Sequence, residues 1–252
     1  MMNSKGNRRR LRFAFATTLT AACLGGVISA PAQNPDPDTD PAALLQRIDA
    51  ASETRYDHVL GFTETEHYSV FRGKDETHPA AEMTVKVTYR RDVGKTYEIV
   101  SQSGSDVIQK FGLEPLLDSE KAISDPAVVK NSWFTTANYE MRVDPGKTRQ
   151  MDGRTCVAVS IAPRRKATNM LDGAIWVDPR DGTIAEVDGI ASKSPNVFAG
   201  PTHMMRRYTN FSGYAMATHA RAESDSILFG HTVVTIDYSG YQLQLRPADT
   251  EK

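Results

Sequence analysis

Apolar positions fall into two periods along this chain. Leu44, Leu45, Ile48, Ser52, Tyr56 and Val59 recur at the spacing of one helical face. Asp40 can cap the free N–H groups of a first turn, and Pro41 suits that turn because it lacks an N–H. The pattern predicts one amphipathic helix over 41–58, ending near Gly61. Beyond Gly61 the period becomes two. Met83, Val85, Val87 and Tyr89 alternate with Thr84, Lys86, Thr88 and Arg90, as in a half-buried strand. Residues 96–101 read as the next strand. Between Ser105 and Lys130 the alternation disappears. Val107, Ile108, Phe111, Leu113, Leu116, Leu117, Ile123, Val128 and Val129 are spaced as in helices, which Gly112, Pro115 and Pro126 break into short pieces. Eight further strands are predicted over 134–143, 147–152, 155–162, 171–177, 183–192, 204–211, 216–224 and 231–241. Asp144-Pro145-Gly146, Asp152-Gly153 and Asp178-Pro179-Arg180-Asp181-Gly182 supply the turns. Short turns between consecutive strands imply an antiparallel meander. The expected class is mainly β with α (α+β): a strongly curved antiparallel sheet, or unclosed β-barrel, covered by the N-terminal helix and short lid helices.

The segment before the helix follows neither period. Arg8, Arg9, Arg10 and Arg12 precede an apolar, small-residue stretch from Phe13 to Ile28, and Ala30-Pro31-Ala32 follows. Basic head, short apolar middle and Ala-x-Ala cut are the parts of a secretory signal peptide over 1–32. The stretch is shorter and richer in Thr and Gly than a membrane span of roughly 20 apolar residues. Cys23 follows Leu19-Thr20-Ala21-Ala22, so lipid attachment there, giving an outer-membrane lipoprotein, is the minor alternative. Residues 33–41 are rich in Pro and Asp and read as a linker. Residues 42–252 then form a single domain, placed in the periplasm.

Charge and cysteine narrow the chemistry. The chain carries a net charge of −1. Residues 1–32 hold five basic and no acidic residues, so their removal leaves −6. That balance opposes a nucleic-acid partner, which needs a basic face. Only Cys156 lies beyond the cleavage site, so the mature fold has no intramolecular disulfide to lean on.

The tract Gly173-Ala174-Ile175-Trp176-Val177-Asp178-Pro179, followed by Gly182-Thr183-Ile184-Ala185-Glu186-Val187, resembles the periplasmic outer-membrane lipoprotein carrier and lipoprotein-sorting (LolA/LolB-like) families. Val233-Val234-Thr235-Ile236-Asp237-Tyr238 is similar to their late strands. The order of signal, helix, strands, short helices and many strands matches too. The resemblance implies an unclosed β-barrel with a helical lid over an apolar cavity that holds acyl chains. It further implies a lid-latch arginine at the end of an early strand, for which Arg91 in Tyr89-Arg90-Arg91-Asp92 is the closest match. In the carriers a proline follows that arginine; here Asp92 stands in its place. Phe111, Leu113, Leu116 and Leu117 are the candidates for lid and ligand cavity.

Signs of catalysis are sparse. None of the six histidines has the i, i+4 pairing of a helical metal site. His67 is expected on a strand with Glu66 pointing to the opposite face. Cys156 shares a strand face with Ala158 and Ser160, opposite Val157, Val159 and Ile161, and reads as a small packed thiol. The sequence lacks a nucleophile elbow, a phosphate-binding loop and a dinucleotide fingerprint. A carboxylate pair on facing strands stays open, because such pairs need not be close in sequence. The expected function is therefore a periplasmic carrier or chaperone, not an enzyme. It would bind lipoprotein acyl chains or another lipid as a monomer, without a cofactor or metal, with envelope proteins as further partners. An envelope sensor or interaction module of the same fold, and a carboxylate-dependent hydrolase, are the alternatives. Intact-mass measurement of the exported protein is expected to give a chain beginning at Gln33; a lipid-modified chain beginning at Cys23 would overturn the soluble reading.

Overall fold

The computed structural model describes residues 40–193, 199–226 and 230–247. The expected signal peptide 1–32 with Cys23, and residues 33–39 of the expected linker, lie outside the described residues. Helix α1 (Pro41–His58) begins as expected: the Asp40 carboxylate accepts from the Ala43 N–H, and Pro41 opens the first turn. It ends at His58, as the expected range 41–58 has it, three residues before Gly61. Val59 is already extended and starts strand β1 (Val59–Arg72). Gly61 serves the sheet instead: a Cβ there would sit 2.8 Å from the Tyr89 carbonyl oxygen of the neighbouring strand.

Nine strands follow. They are β2 (Ala81–Arg90), β3 (Gly94–Gly104), β4 (Tyr139–Met151), β5 (Arg154–Pro163), β6 (Leu171–Val177), β7 (Ile184–Ala191), β8 (Ala199–Phe211), β9 (Tyr214–Ser226) and β10 (Gly230–Leu245). All ten form one antiparallel sheet in the order β3-β2-β1-β10-β9-β8-β7-β6-β5-β4, strongly curved and not closed into a barrel. The meander therefore holds within β1–β3 and within β4–β10. The pairing of β1 with β10 joins the two runs. It leaves β3 and β4, consecutive in sequence, at opposite edges of the sheet.

Two expected strands needed correction. Asp144-Pro145-Gly146 is not a turn between strands but a bulge within β4, where Asp144 faces Ala158 and Thr148 already faces Val157. Pro145 has no N–H for a ladder, and an edge strand tolerates that. The strand expected from Phe134 starts at Tyr139 instead. The Asn138 amide donates to the carbonyls of Lys130 and Trp133, and Thr136 bonds the Asp49 carboxylate of α1, holding 130–138 as a loop.

The crossing from β3 to β4 is helical, as its sequence suggests. It comprises α2 (Asp106–Ile108), a π-turn (Gln109–Leu113), α3 (Glu114–Ile123) and a 3₁₀ turn (Val129–Ser132). Pro115 lies in the first turn of α3, where its missing N–H costs nothing.

Register shows what the two faces contain. The residues Gln102, Met83, Tyr68, Ile236, Ala220, Arg206, Val187, Ile175, Val159 and Val143 face one another in a row across all ten strands. This row lies on the helix-covered face. Leu44 and Ile48 of α1 pack with Val157, Val159, Ile161, Ile175, Val177 and Val187. Leu113 and Leu117 of the crossing pack with Tyr68, Met83, Val85, Val87 and Ile236. The neighbouring row on the other face runs Thr84, His67, Asp237, His219, Arg207, Glu186, Trp176 and Ala158. His67 thus points outward and Glu66 inward, as the alternation requires. β5 keeps its two expected faces, with Val157, Val159 and Ile161 on one and the packed Cys156 with Ala158 on the other. Cys156 and Ala158 are as buried as Val157 and Val159, because Trp176 and Met151 cover the outer face there.

Among the turns, Gly182 is set by α1. Its φ is +75°, and a Cβ would lie 2.3 Å from the Arg47 carbonyl carbon of the helix. Gly153 has a similar φ of +74° with open space around it. Gly182→Ala is expected to cost about 3 kcal/mol, adding a backbone clash to the left-handed penalty, and Gly153→Ala about 1 kcal/mol. Urea unfolding of both variants checks this, and equal losses would contradict it.

Candidate functional site

The inner side of β1 reads Phe62, Glu64, Glu66, Tyr68 and Val70. Two carboxylates therefore stand in the middle of a buried row, and their residues are 3% and 1% exposed. Burying an unpaired charge costs several kcal/mol, so both need partners. Lys95, on the inner side of edge strand β3, supplies one. Its Nζ lies 2.8 Å from Glu66 Oε1 and 3.6 Å from Glu64 Oε1. The Tyr68 hydroxyl donates to the other oxygen of Glu66. Glu66 is thus satisfied at both oxygens, whereas Glu64 Oε2 has no hydrogen-bond partner. The Tyr97 hydroxyl, above the same lysine, is also buried without one.

A second ion pair extends the cluster to the helical crossing. Glu120 of α3 accepts from Arg206 of β8 at 3.4 Å. At the C-terminus of α3, the Ser124 hydroxyl accepts from the Lys95 main-chain N–H at 2.8 Å and donates to the Lys121 carbonyl. The crossing is thus held by Leu113, Leu116, Leu117 and Ile108, by Glu120–Arg206 and by Ser124.

These neighbours move the titrating groups in opposite directions. Burial dominates at Glu64. Lys95 opposes it and Glu66 adds to it, so the carboxyl is pushed up to about 7. Burial would also lower Lys95 and raise Glu120. Their partners outweigh it: Glu66 and other anionic neighbours hold Lys95 above its ordinary range, and Arg206 with Lys95 holds Glu120 below its own. Burial raises Tyr68, Tyr97, Tyr238 and Tyr241, keeping their hydroxyls protonated.

The residues anticipated from sequence separate into two groups. Leu113 and Leu117 are buried under the crossing and Leu116 is partly buried beside them, all seated on the strands that carry the cluster. Phe111 points the other way, 67% exposed on the π-turn. Arg91 reaches α1 rather than the crossing: its guanidinium donates to the Asp57 carbonyl at 3.0 Å and lies over the Tyr56 ring. Glu64, Glu66, Lys95, Glu120 and Arg206 were missed by the sequence reading. The signal for two of them was present: counting by two from Phe62 to Val70 places both glutamates in the apolar phase.

The outer face is polar and shallow. A depression of about 460 Å³ there is lined by Arg149, Asp152, Glu186, Arg207, Thr209 and His219, among others. Glu186 lies at its floor between Arg149, at 2.6 Å, and Arg207, at 3.0 Å. Four strand histidines each face a carboxylate: His67 with Glu82, His203 with Asp188, His219 with Asp237 and His231 with Asp225. No three metal-ligating side chains converge among the described residues. Cys156 is enclosed, and burial pushes its thiol up, away from the reactive thiolate.

No family model matches the chain, and neither does any curated protein. Solved structures do. A LolA superfamily protein from Nitrosomonas europaea is similar with a TM-score of 0.42 at 11% identity, over 82% of this chain and 94% of that one. A DUF1329 family protein from Desulfovibrio piger is similar with a TM-score of 0.42 at 14% identity, over 84% and 96%. A domain named for outer membrane lipoprotein sorting, from Vibrio parahaemolyticus, gives 0.43 at 12% identity, over 84% and 95%.

The shifted carboxyl has a thermodynamic consequence. Between about 4.5, the ordinary value, and about 7, the folded protein holds a proton on Glu64 that the unfolded chain has lost. This group's contribution to stability is therefore full at low pH and lost as pH rises through that window. Glu64→Gln removes the dependence. Its stability relative to wild type is expected to rise by roughly 3 kcal/mol between pH 4.5 and pH 8. Parallel curves in urea unfolding across that range would refute the assignment.

Proposed function

We propose that this chain is an exported, non-catalytic carrier or chaperone that takes an acyl chain between the concave face of its sheet and the helical crossing. The observation that carries the reading is the construction of that cover. A broken helical segment spans the two free edges of the sheet, seated by a few aliphatic side chains, one ion pair and one hydroxyl. The aliphatic residues it packs on are buried, so an acyl chain reaches them when the segment lifts. The apolar strip exposed by lifting would include Met83, Val85, Val87 and Ile236, aliphatic surface suited to a lipid tail. Helix α1 is the fixed part of the cover, with Leu44 and Ile48 fully buried. Arg91 pins its C-terminal turn and acts in this reading as the latch of α1. Leu113, Leu116 and Leu117 are the moving seat, exchanging contact with the sheet for contact with the ligand. The signal-like segment 1–32 supports periplasmic placement.

One feature favours the interaction-module reading as a second possibility. Edge strand β3 pairs on one side with β2 and exposes Ile99 and Val100. An extended peptide could add there by main-chain pairing.

A pyrene-labelled long-chain alcohol serves as a neutral acyl probe. The wild-type protein is expected to bind it saturably with one-to-one stoichiometry. Arg206→Met, which frees one anchor of α3, should accelerate uptake several-fold and raise hydrogen exchange across 114–123 while leaving α1 unchanged. Absence of saturable probe binding by both proteins would sink the carrier reading.

A further inference from the structure

The inner carboxylates are more than a support for the sheet. Glu66 is fully engaged by Lys95 and Tyr68, but Glu64 is not. Lys95, at 3.6 Å from Oε1, and the neighbouring Tyr241 hydroxyl favour its charge, burial and Glu66 oppose it, and Oε2 is buried without a hydrogen-bond partner. With both glutamates ionised, the interior cluster of Glu64, Glu66, Glu120, Lys95 and Arg206 has three negative and two positive charges. It is short of one cation.

The sheet bends to put aromatic rings beside that carboxylate. Across from Glu64 the β1–β10 register slips: Thr63 faces Gln242, while Thr65 faces Ser239. The extra length of β10 is a bulge at Gly240, whose φ is +68°. Such bulges re-aim side chains. Here it brings Tyr241 alongside Glu64, with the tyrosine hydroxyl donating to the Ala217 carbonyl at 2.8 Å. Tyr241 lies edge-on to Phe62 at 5.8 Å, and Phe62 stacks on Tyr89 at 4.9 Å. Phe211, 42% exposed at the turn from β8 to β9, touches Tyr241 at 5.7 Å. The rings thus run from solvent inward to the unmatched carboxylate. The cations near this path are engaged: Arg55 with the Ala215 carbonyl, Arg91 with carbonyls of α1, and Lys95 with Glu66. Aromatic faces beside a carboxylate are the elements that recognise an ammonium group: the rings attract its charge, and the carboxylate accepts its N–H.

We propose that Glu64, with Tyr241 and Phe62, is a recognition site for the primary ammonium head of an amphiphile, reached past Phe211. The inference rests on the acyl-carrier reading and names the head group for it. The bound cation would supply Glu64 Oε2 with its missing donor and bring the interior cluster to neutrality.

Three amphiphiles of one tail length test it: dodecylammonium, dodecanol and dodecanoate, each below its micellar concentration, competing with the pyrene-labelled alcohol. Wild type is expected to release the probe at a dodecylammonium concentration at least tenfold below that of dodecanol, with dodecanoate weakest. Glu64→Gln should reduce the amine advantage to less than threefold, while Glu64→Asp keeps most of it. If the variants fold poorly, wild type alone decides. Glu64, facing Glu66, Lys95, Tyr97, Tyr241 and Glu120, gains its proton on acidification, so the amine advantage should shrink from pH 8 to pH 5.5. Equal competition by amine and alcohol in wild type, or an amine advantage that survives Glu64→Gln and acidification, overturns the proposal and leaves the carrier reading standing. If the probe does not bind, calorimetry with dodecylammonium replaces competition: saturable, Glu64-dependent binding supports the ammonium site without the carrier reading, and no binding rejects both.

Discussion

The pairing of β1 with β10 is the constraint on which the other features depend. It runs from Val59↔Leu245 to Arg72↔Thr232 and joins two meanders into one sheet. Once that seam is made, β3 and β4 must be the edges, and residues 105–138 must connect them. A connection between opposite edges of a curved sheet is shortest across its hollow, so the seam also creates the cover. The seam carries the slip in register that brings Tyr241 inward. It is non-local, joining residues from 160 (Arg72 and Thr232) to 186 (Val59 and Leu245) positions apart, so the entropy of closing that loop must be spent before its contacts form.

The rest of the interior follows from what each part of the hollow faces. Where α1 lies over β4–β7, the inner row of Val143, Val159, Ile175 and Val187 is aliphatic, and packing alone explains it. Where the crossing lies over β1–β3, β9 and β10, Glu64, Glu66 and Lys95 interrupt the aliphatic rows, and Glu120 of α3 meets Arg206 of β8 beside them. A buried ion pair is often no more stabilising than a well-packed apolar replacement. The ion pairs therefore hold the crossing no more firmly than apolar packing of the same volume would.

Much of the fold was legible because local patterns set it. The 3.6 period from Leu44 to Tyr56 placed α1, and the alternation from Met83 to Tyr89 placed β2. The loss of period after Ser105, with Pro115 and Pro126, marked the broken crossing. The errors occurred where distant contacts override local chemistry. Asp144-Pro145-Gly146 has the composition of a turn, but at a free edge a bulge satisfies it equally well. Gly61 resembles a helix stop, yet its lack of a side chain serves the close approach of Tyr89. Cys156 is the packed thiol its strand predicts, but its cover was not legible, because Trp176 comes from another strand. In the site, the glutamates were visible as polar residues in the apolar phase of β1. Their partners were not, because Lys95, Glu120 and Arg206 come from three other elements that only the folded sheet assembles.

The two glutamates differ in kind although they are two residues apart on one strand. A structural charge in a protein interior is expected to be matched at every acceptor, as Glu66 is by Lys95 and Tyr68. A strand could replace Glu64 with an aliphatic residue and gain stability, since the apolar residues Phe62 and Val87 already neighbour it. Its presence at the point where β10 bulges and an aromatic path ends is difficult to explain by folding alone. Strain and unmatched charge are stored where a partner is to be received, because the arriving group then recovers what the fold gave up. On this argument the crossing and Glu64 are two parts of one device: the first regulates access to the hollow, and the second gives the hollow a preference.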